Sequence, residues 1–472
     1  MKIIGRVKEQ AELKRYYESG KPEFIAITGR RRVGKTYLIR EYFSDNIAFY
    51  FSGAIGKNVT NKYQLNRFDN AITQYGGEPG SASQCWADAF QKLKKLIGSQ
   101  RNSRCVVFID ELPWLDIPKS DFLPALDYFW NTFGSSRPDL MLIVCGSAAS
   151  WIVNNLFRNK GGLHNRITGR IELAPFTLNE CEAFFTEYGI VMNRYQIAEA
   201  YMVFGGIPYY LNLFKKNLGL TQNIDQLLFS NNAPLKNEFN EVYSSLFRVS
   251  DRHMNIVSAL SKKNSGLTRD EIINKTKIPG GGNLSKTLCE LEQCGFIEKY
   301  SDFTRQKKNA YYRLIDPFTL FWLKFVINNN TKDEYYWTNL IDSGERRAWT
   351  GHAFEQLCLL HIAQIKQKLG ISGISTEVFS WRSKGESTGA QIDLLIVRRD
   401  GVINLCEMKY SLHPYTISKQ YDQELQQKRM SFLAQTGARH AIHITMVTTY
   451  GLAEGGYRAS IQSEITLDDL FV

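Results

Sequence analysis

The chain has 472 residues, 43% of them apolar and 22% charged, and a net charge of +11. That composition excludes a disordered or fibrous chain and leaves room for several domains with separate cores. Its longest apolar stretches are of strand length, far below the roughly 18 to 20 residues a membrane helix requires.

Met1–Gln10 sets Lys2, Arg6, Lys8 and Glu9 around one Ile pair, so no secretory leader is expected and the expected location is cytoplasmic. The eight cysteines include no Cys-x-x-Cys pair, which argues against a zinc or disulfide framework and for reduced, buried thiols. The positive charge is compatible with a polyanionic partner such as DNA.

The first predicted strand, Phe24–Thr28, runs into Gly29-Arg30-Arg31-Arg32-Val33-Gly34-Lys35-Thr36. This is Gly, four residues, then Gly-Lys-Thr, in the strand-to-helix setting that a phosphate-binding loop needs. Such a loop turns backbone N–H groups inward at a helix N-terminus, where the dipole favours anions. Lys35 would reach the β and γ phosphates of a nucleotide, and Thr36 would ligate Mg2+. A plain strand–helix turn is the bland alternative.

Further strands are predicted at Ile47–Phe51, Cys105–Asp110, Leu140–Cys145 and Ile167–Leu173, with helical segments between them. Apolar strands alternating with helices specify a parallel α/β sheet. The third strand ends in Asp110-Glu111. Phosphoryl transfer needs a carboxylate near Mg2+ and a polar group that orients the attacking water; Asp110 suits the first role and Glu111 the second, unless the pair only caps a helix. Ser147, just past the fourth strand, is either a sensor of the γ-phosphate or part of a turn. Arg166 and Arg170 follow Gly161-Gly162; either is an arginine finger or a surface residue.

From Pro175 to about Asn231 the pattern is helical, broken at Gly205-Gly206-Ile207-Pro208, as in a small lid. Residues 250 to 313 read as three short helices and a hairpin. Thr268-Arg269-Asp270-Glu271 opens one helix as a capping box, and Leu284, Leu288 and Leu291 share a helical face. Phe296–Ser301 and Ala310–Leu314 flank the basic tip Arg305-Gln306-Lys307-Lys308. This is the layout of a winged helix. The block holds twelve Lys and Arg against seven acids, a net +5. Its third helix is expected to offer Ser285, Lys286 and Thr287 to a major groove and its phosphates; packing against protein is the alternative.

Ile4-Gly5-Arg6 with Glu9 and Leu13, the Gly29–Thr36 loop, Phe108-Ile109-Asp110-Glu111 and Gly205-Gly206-Ile207-Pro208-Tyr209-Tyr210-Leu211 together resemble the archaeal-type ATPases of the AAA+/STAND group, which also occur in bacteria. The resemblance spans roughly residues 1 to 330, including Tyr312-Arg313-Leu314-Ile315-Asp316-Pro317-Phe318 after the winged helix. It implies that the ligand is ATP, that the activity is ATP hydrolysis, and that Gly5 and Arg6 lie near the adenine.

Residues 316 to 345 are rich in aromatics and Asn and are read as a link. From 346 on, the order is helix, three strands, helix, strand and a short end. Asp393 stands near the start of the strand Gln391–Ile396, and Val402–Met408 carries Glu407, with Lys409 beyond it. Alternation sets Glu407 and Lys409 on one face, and Asp393 on the neighbouring strand can join them. Two carboxylates suit Mg2+ or Mn2+, and an ammonium can position water or stabilise developing phosphate charge. Glu355 on the preceding helix offers a further ligand, and Gln423 and Gln427 on the following helix could complete the site. The ordered set resembles the PD-(D/E)XK nuclease superfamily over about residues 346 to 450, with Gln391-Ile392-Asp393 in place of Pro-Asp. It implies metal-dependent DNA cleavage, or the same fold kept for binding with an inert charge cluster.

The seven histidines show no metal-ligand spacing. Tyr335-Tyr336-Trp337 either stacks on nucleotides or packs in a core. The expected architecture is therefore α/β: a P-loop NTPase parallel sheet (1–175), a helical lid (176–249), a winged helix (250–315), a link (316–345) and a restriction-endonuclease-like α/β domain (346–472). ATP and DNA are the expected partners, with assembly into a homo-oligomer left open.

Overall fold

The computed structural model describes residues 2–56, 58–99, 104–147, 149–157, 163, 165–247, 249–303, 310–327, 329, 333–383 and 390–472. The expected basic tip 305–308 and the Gly161-Gly162 turn lie outside them. The chain forms two compact units, Met1–Pro175 with Ser244–Arg248, and Phe176–Tyr243 with Val249–Val472.

The first unit is built on five strands: β1 (Glu23–Gly29), β2 (Ile47–Ser52), β3 (Cys105–Asp110), β4 (Leu140–Cys145) and β5 (Gly169–Leu173). They pair in the order β2-β3-β4-β1-β5, all parallel. β3 and β4 are buried at every position. Strands covered on both faces read as unbroken apolar runs, which is why Cys105–Asp110 and Leu140–Cys145 are found where the sequence put them. β5 is an edge strand, with Arg170 and Glu172 exposed between buried neighbours. It begins at Gly169, two residues later than expected, because Thr168 instead closes on Phe24 through its N–H and hydroxyl.

The second unit starts with helices Leu178–Glu187 and Arg194–Phe204, each opened by a capping box, Thr177 with Glu180 and Asn193 with Gln196. Gly205 ends the second helix in the left-handed conformation. Three further helices follow at Ser250–Leu260, Arg269–Thr276 and Gly282–Gln293. The short strands β6 (Leu267–Thr268), β7 (Ile297–Tyr300) and β8 (Tyr311–Leu314) form an antiparallel sheet ordered β6-β8-β7. The Thr268–Glu271 capping box is present. On Gly282–Gln293 the buried face is Leu284, Thr287, Leu288 and Leu291, while Ser285 and Lys286 are exposed. Thr287 therefore turns inward, contrary to expectation, because it lies three residues from Leu284 and four from Leu291 on the same stripe.

Within 316–345, helices Pro317–Phe321 and Tyr336–Asn339 carry buried residues. Asp316 caps helix Pro317–Phe321. Asp225 accepts the N–H groups of Trp337 (2.7 Å) and Thr338 (3.1 Å) at the start of Tyr336–Asn339. Trp337 is a core residue, edge-on to Phe321, Phe325 and Trp349, and Tyr336 packs on Phe229. Of the aromatic triplet only Tyr335 is largely exposed.

Helix Gly344–Leu360 leads to a mixed sheet of β9 (Thr376–Arg382), β10 (Gln391–Arg398), β11 (Val402–Lys409), β12 (Ala441–Thr448) and β13 (Ser463–Thr466), ordered β13-β12-β11-β10-β9. β9, β10 and β11 run antiparallel in turn. Helix Lys419–Thr436 then crosses over so that β12 lies parallel to β11. A parallel pair needs such a crossover. The residues Ser301 to Phe303 run beside β9, with Phe303 N–H donating to Ser380 and Ser380 N–H to Ser301.

Candidate functional site

β1, β3 and β4 end at one edge of the parallel sheet, with Ile27 opposite Cys145 and Ile109 opposite Val144. Ligands of open α/β sheets bind at these carboxyl ends. Here the edge gathers the Gly29–Thr36 loop, Asp110-Glu111 and Ser147. Gly29 has φ 145°, and a Cβ on it would stand 2.4 Å from the carbonyl oxygen of Leu173, so the first glycine is fixed by the close approach of β5. Arg32 (φ 71°) and Gly34 (φ 93°) both turn left-handed before helix Lys35–Phe43. Arg30 and Val33 are buried, whereas Arg31 and Arg32 are half-buried.

Buried Lys35 donates to the carbonyls of Gly29 (2.8 Å) and Arg30 (2.9 Å) and lies 3.4 Å from Ser147 Oγ. Thr36 donates its hydroxyl to Asp110 Oδ2 at 2.5 Å. Asp110 Oδ1 accepts the Glu111 N–H (2.7 Å) and the Cys145 thiol. Burial, with Asp110 beside it, pushes the Cys145 thiol well up, so it stays protonated and donates. The same two causes raise Tyr50 to about 12. Glu111 is left-handed (φ 51°), and its carboxylate is bound by Ser147. The hydroxyl of Thr36 and the carboxylate of Asp110 are hard oxygen donors of the kind Mg2+ takes.

Gly5 and Arg6 are both left-handed, at φ 63° and 56°. Arg6 is buried and donates to the Val33 carbonyl at 3.1 Å, with Glu9 at 3.8 Å, so this box is fastened to the phosphate-loop backbone. Arg166 is exposed, with its backbone in a turn on Leu163. Arg170 is exposed on β5 with its guanidinium 3.9 Å over the Phe157 ring. Neither side chain bonds to Lys35, Thr36, Asp110 or Glu111 among the described residues.

In the second unit the four sequence-picked residues lie on helix Gly344–Leu360, β10 and β11, and the antiparallel register that pairs Leu394 with Cys406 brings Asp393 beside Glu407. The β9–β10 register shifts between Ile392 and Leu395. Both of these residues share a core with Phe432 although they are three apart, where unbroken alternation would set them on opposite faces. Asp393 falls inside the shift. It accepts a bond from the Gln391 amide and lines a cavity with Glu355 and His352. His352 Nδ1 lies 3.5 Å from Glu355 Oε2, and that carboxylate raises the pKa of the imidazole.

Glu407 and Lys409 contact helix Lys419–Thr436. Glu407 is buried, accepts Lys428 Nζ at 2.6 Å and the Tyr421 hydroxyl at 3.4 Å. Burial raises its carboxyl pKa, and Asp393 adds to the rise, while Lys428 and Lys409 oppose it. Lys409 sits 4.9 Å over the Tyr421 ring. Among the described residues no three His, Cys, Asp or Glu side chains converge as a metal cage. Gln423 and Gln427 are exposed. The partners that matter, Tyr421 and Lys428, lie on the inward stripe Tyr421, Leu425, Lys428, Phe432, whose spacing of four, three and four was the signal available in the sequence.

Residues 4–214 match the family model described as an ATPase domain predominantly from Archaea. The uncharacterized protein MJECL04 of Methanocaldococcus jannaschii is 24% identical over 400 residues, 83% of this chain and 84% of its own. The Walker-type ATPase PABY2304 of Pyrococcus abyssi has the same fold over 68% of this chain and 96% of its own, at 20% identity and a TM-score of 0.50. The ORC2 protein of Aeropyrum pernix, in ADPNP–ADP complexes, is similar at 14% identity and a TM-score of 0.43, covering 68% of this chain and 93% of its own. The N-terminal region is thus a P-loop domain of the ATPase type, similar to archaeal Walker-type ATPases. No described helix is long and apolar enough to cross a membrane.

Proposed function

We propose that this protein binds and hydrolyses ATP in association with nucleic acid. The observation that carries this reading is the meeting of Lys35, Thr36, Asp110, Glu111 and Ser147 at one sheet edge. The loop Gly29–Thr36 would cradle the phosphates with backbone N–H groups, and Lys35 would exchange its loop carbonyls for phosphate oxygens. Thr36 and Asp110 would hold Mg2+, which neutralises phosphate charge. Glu111 would orient the attacking water. The tie between Arg6 and Val33 supports Gly5 and Arg6 as a border of the nucleotide. Exposed Arg166 is the better candidate for an arginine finger, since Arg170 is occupied with Phe157.

Residues 250–315 are assigned a winged helix, supported by three helices followed by the β7–β8 pair. Exposed Ser285 and Lys286 and the net +5 of the block support contact with duplex DNA. Residues 346–472 are assigned a PD-(D/E)XK nuclease-like fold, supported by the helix, three antiparallel strands, crossover helix and parallel strand. One reading has the ATP cycle gate Mg2+- or Mn2+-dependent cleavage at Asp393, Glu407 and Lys409 with Glu355. The other is an ATP-dependent switch that cuts nothing. The Glu407–Lys428 ion pair favours the switch.

The test is ATP turnover with and without DNA for the parent, Lys35→Ala and Glu111→Gln. Lys35→Ala should abolish nucleotide binding, while Glu111→Gln should keep binding and lose about 100-fold or more in turnover. Hydrolysis that survives Lys35→Ala overturns the assignment. With Mn2+ and plasmid DNA the switch reading expects no cleavage; cutting by the parent that Lys409→Ala removes would restore the nuclease reading.

A further inference from the structure

Helix Arg194–Phe204 lies in the stretch expected to form the lid, and it is fastened to the C-terminal sheet through Tyr410, the residue that follows Lys409 at the end of β11. The Tyr410 hydroxyl donates to Glu199 Oε1 at 3.2 Å and meets the hydroxyl of Tyr195, both on that helix. The Tyr410 ring lies 5.4 Å from the Tyr195 ring and, edge-on, 5.9 Å from Phe354, the neighbour of Glu355. Tyr450, beyond β12, stacks on Tyr195 at 5.6 Å. Glu199 also pairs with Arg346 at 3.6 Å, and the two side chains are only 16% and 7% exposed. A buried charge is tolerated when it is paired and hydrogen-bonded, so Arg346 and Tyr410 together hold Glu199, and with it the helix, against the sheet.

The far end of β11 is the part of that strand the sheet holds least. β10 pairs with it from Ile403 to Cys406, whereas β12 pairs along its whole length, from Val402 to Lys409. Glu407, Met408 and Lys409 thus have a ladder partner on one side only among the described residues. Backbone with fewer ladder bonds opens more readily than a strand centre, so a pull on Tyr410 is felt first at Glu407 and Lys409. Packed, hydrogen-bonded contacts of this kind are made or broken rather than stretched, which is the two-state character that coupling between distant sites requires.

We infer that Tyr410 and Glu199 are positioning residues, a joint through which a nucleotide-driven shift of helix Arg194–Phe204 reaches the Glu407–Lys409 end of β11. This joint rests on the ATP reading above and serves cleavage and switching alike.

The test is amide hydrogen exchange of the full chain, read by mass spectrometry with Mg2+ and either ADP or a non-hydrolysable ATP analogue. In the parent, peptides covering 194–204 and 407–411 should both differ in exchange rate between the two nucleotides, by about threefold or more. The Tyr195→Phe/Tyr410→Phe variant keeps both rings and loses both hydroxyls. Its 194–204 peptides should still respond and its nucleotide affinity should match the parent's, excluding misfolding, while the difference at 407–411 is lost. Should the pair not fold, Tyr410→Phe alone is expected to give the same loss. Tyr450→Phe removes a hydroxyl that bonds nothing among the described residues and should behave as the parent. A response at 407–411 that survives in the variant overturns the joint and leaves ATP binding intact. So does a parent that binds both nucleotides with no difference at 194–204 or none at 407–411. A parent that binds neither nucleotide overturns the ATP reading and the joint together.

Discussion

Ser147 holds Glu111 with two hydrogen bonds, its Oγ donating to Oε1 at 2.7 Å and its backbone N–H to Oε2 at 3.3 Å. The clasp also lies within 3.4 Å of Lys35 Nζ. The serine thus joins the phosphate-loop lysine to the residue proposed to orient water, and Glu111 is kept in one pose on a left-handed backbone.

Ser147→Ala removes the hydroxyl and leaves only the N–H contact. ATP turnover should fall about tenfold, since misplacing a catalytic group erodes its contribution. Nucleotide affinity should change less than about threefold, because Ser147 holds Glu111 rather than the nucleotide, and an interaction that matters only in the transition state lowers turnover without changing binding. Steady-state kinetics with a fluorescent-nucleotide titration separates the two; unchanged turnover would remove Ser147 from the machinery.

Gly29→Ala would force a methyl group against the Leu173 carbonyl, 2.4 Å from the new Cβ, at φ 145°. A destabilisation of about 2 kcal/mol or more is expected from such backbone strain. Urea denaturation should show the loss without nucleotide, which distinguishes a packing requirement from a binding one.

Lys428→Ala strands the buried Glu407 carboxylate. Removing one member of a buried pair is expected to destabilise by about 3 kcal/mol. Adding Glu407→Gln should recover much of it, because the remaining amide needs no countercharge. A double-mutant cycle by chemical denaturation reads this coupling, and simple additivity would mean that the pair is not a unit.

His361 supplies the pH dependence. It accepts the Leu178 N–H on Nε2 at 3.3 Å and bonds the Leu357 carbonyl through Nδ1 at 2.8 Å. Burial lowers its pKa from 6.5 to about 4. The unfolded chain therefore binds more protons between those values, so this stability is complete above pH 6.5 and is lost as pH falls toward 4. The loss is roughly 3 kcal/mol. His361→Gln should flatten this part of the stability profile; an unchanged slope would assign the acid sensitivity elsewhere.

The parallel sheet could be read from the chain because its central strands are covered on both faces, so Cys105–Asp110 and Leu140–Cys145 are apolar almost throughout. The meeting of Lys35, Thr36, Asp110, Glu111 and Ser147 at one sheet edge was equally legible, since each lies at or soon after a strand end. Three features were harder. Thr287 looked polar and outward, although its spacing from Leu284 and Leu291 placed it inside. Lys428 was passed over for Gln423 and Gln427, when the Leu425–Phe432 stripe pointed to it. The register shift between Ile392 and Leu395 has no local marker, and a one-residue slip reverses which face a side chain takes.

The backbone of Ser301 to Phe303 lies along β9, and the Asp302 carboxylate accepts the Arg382 N–H at 3.2 Å. A fragment starting near residue 346 would lose this neighbour and bare a row of unmet peptide donors and acceptors. Naked sheet borders recruit other chains, so the isolated C-terminal piece should self-associate on gel filtration, whereas one reaching back to residue 250 should not.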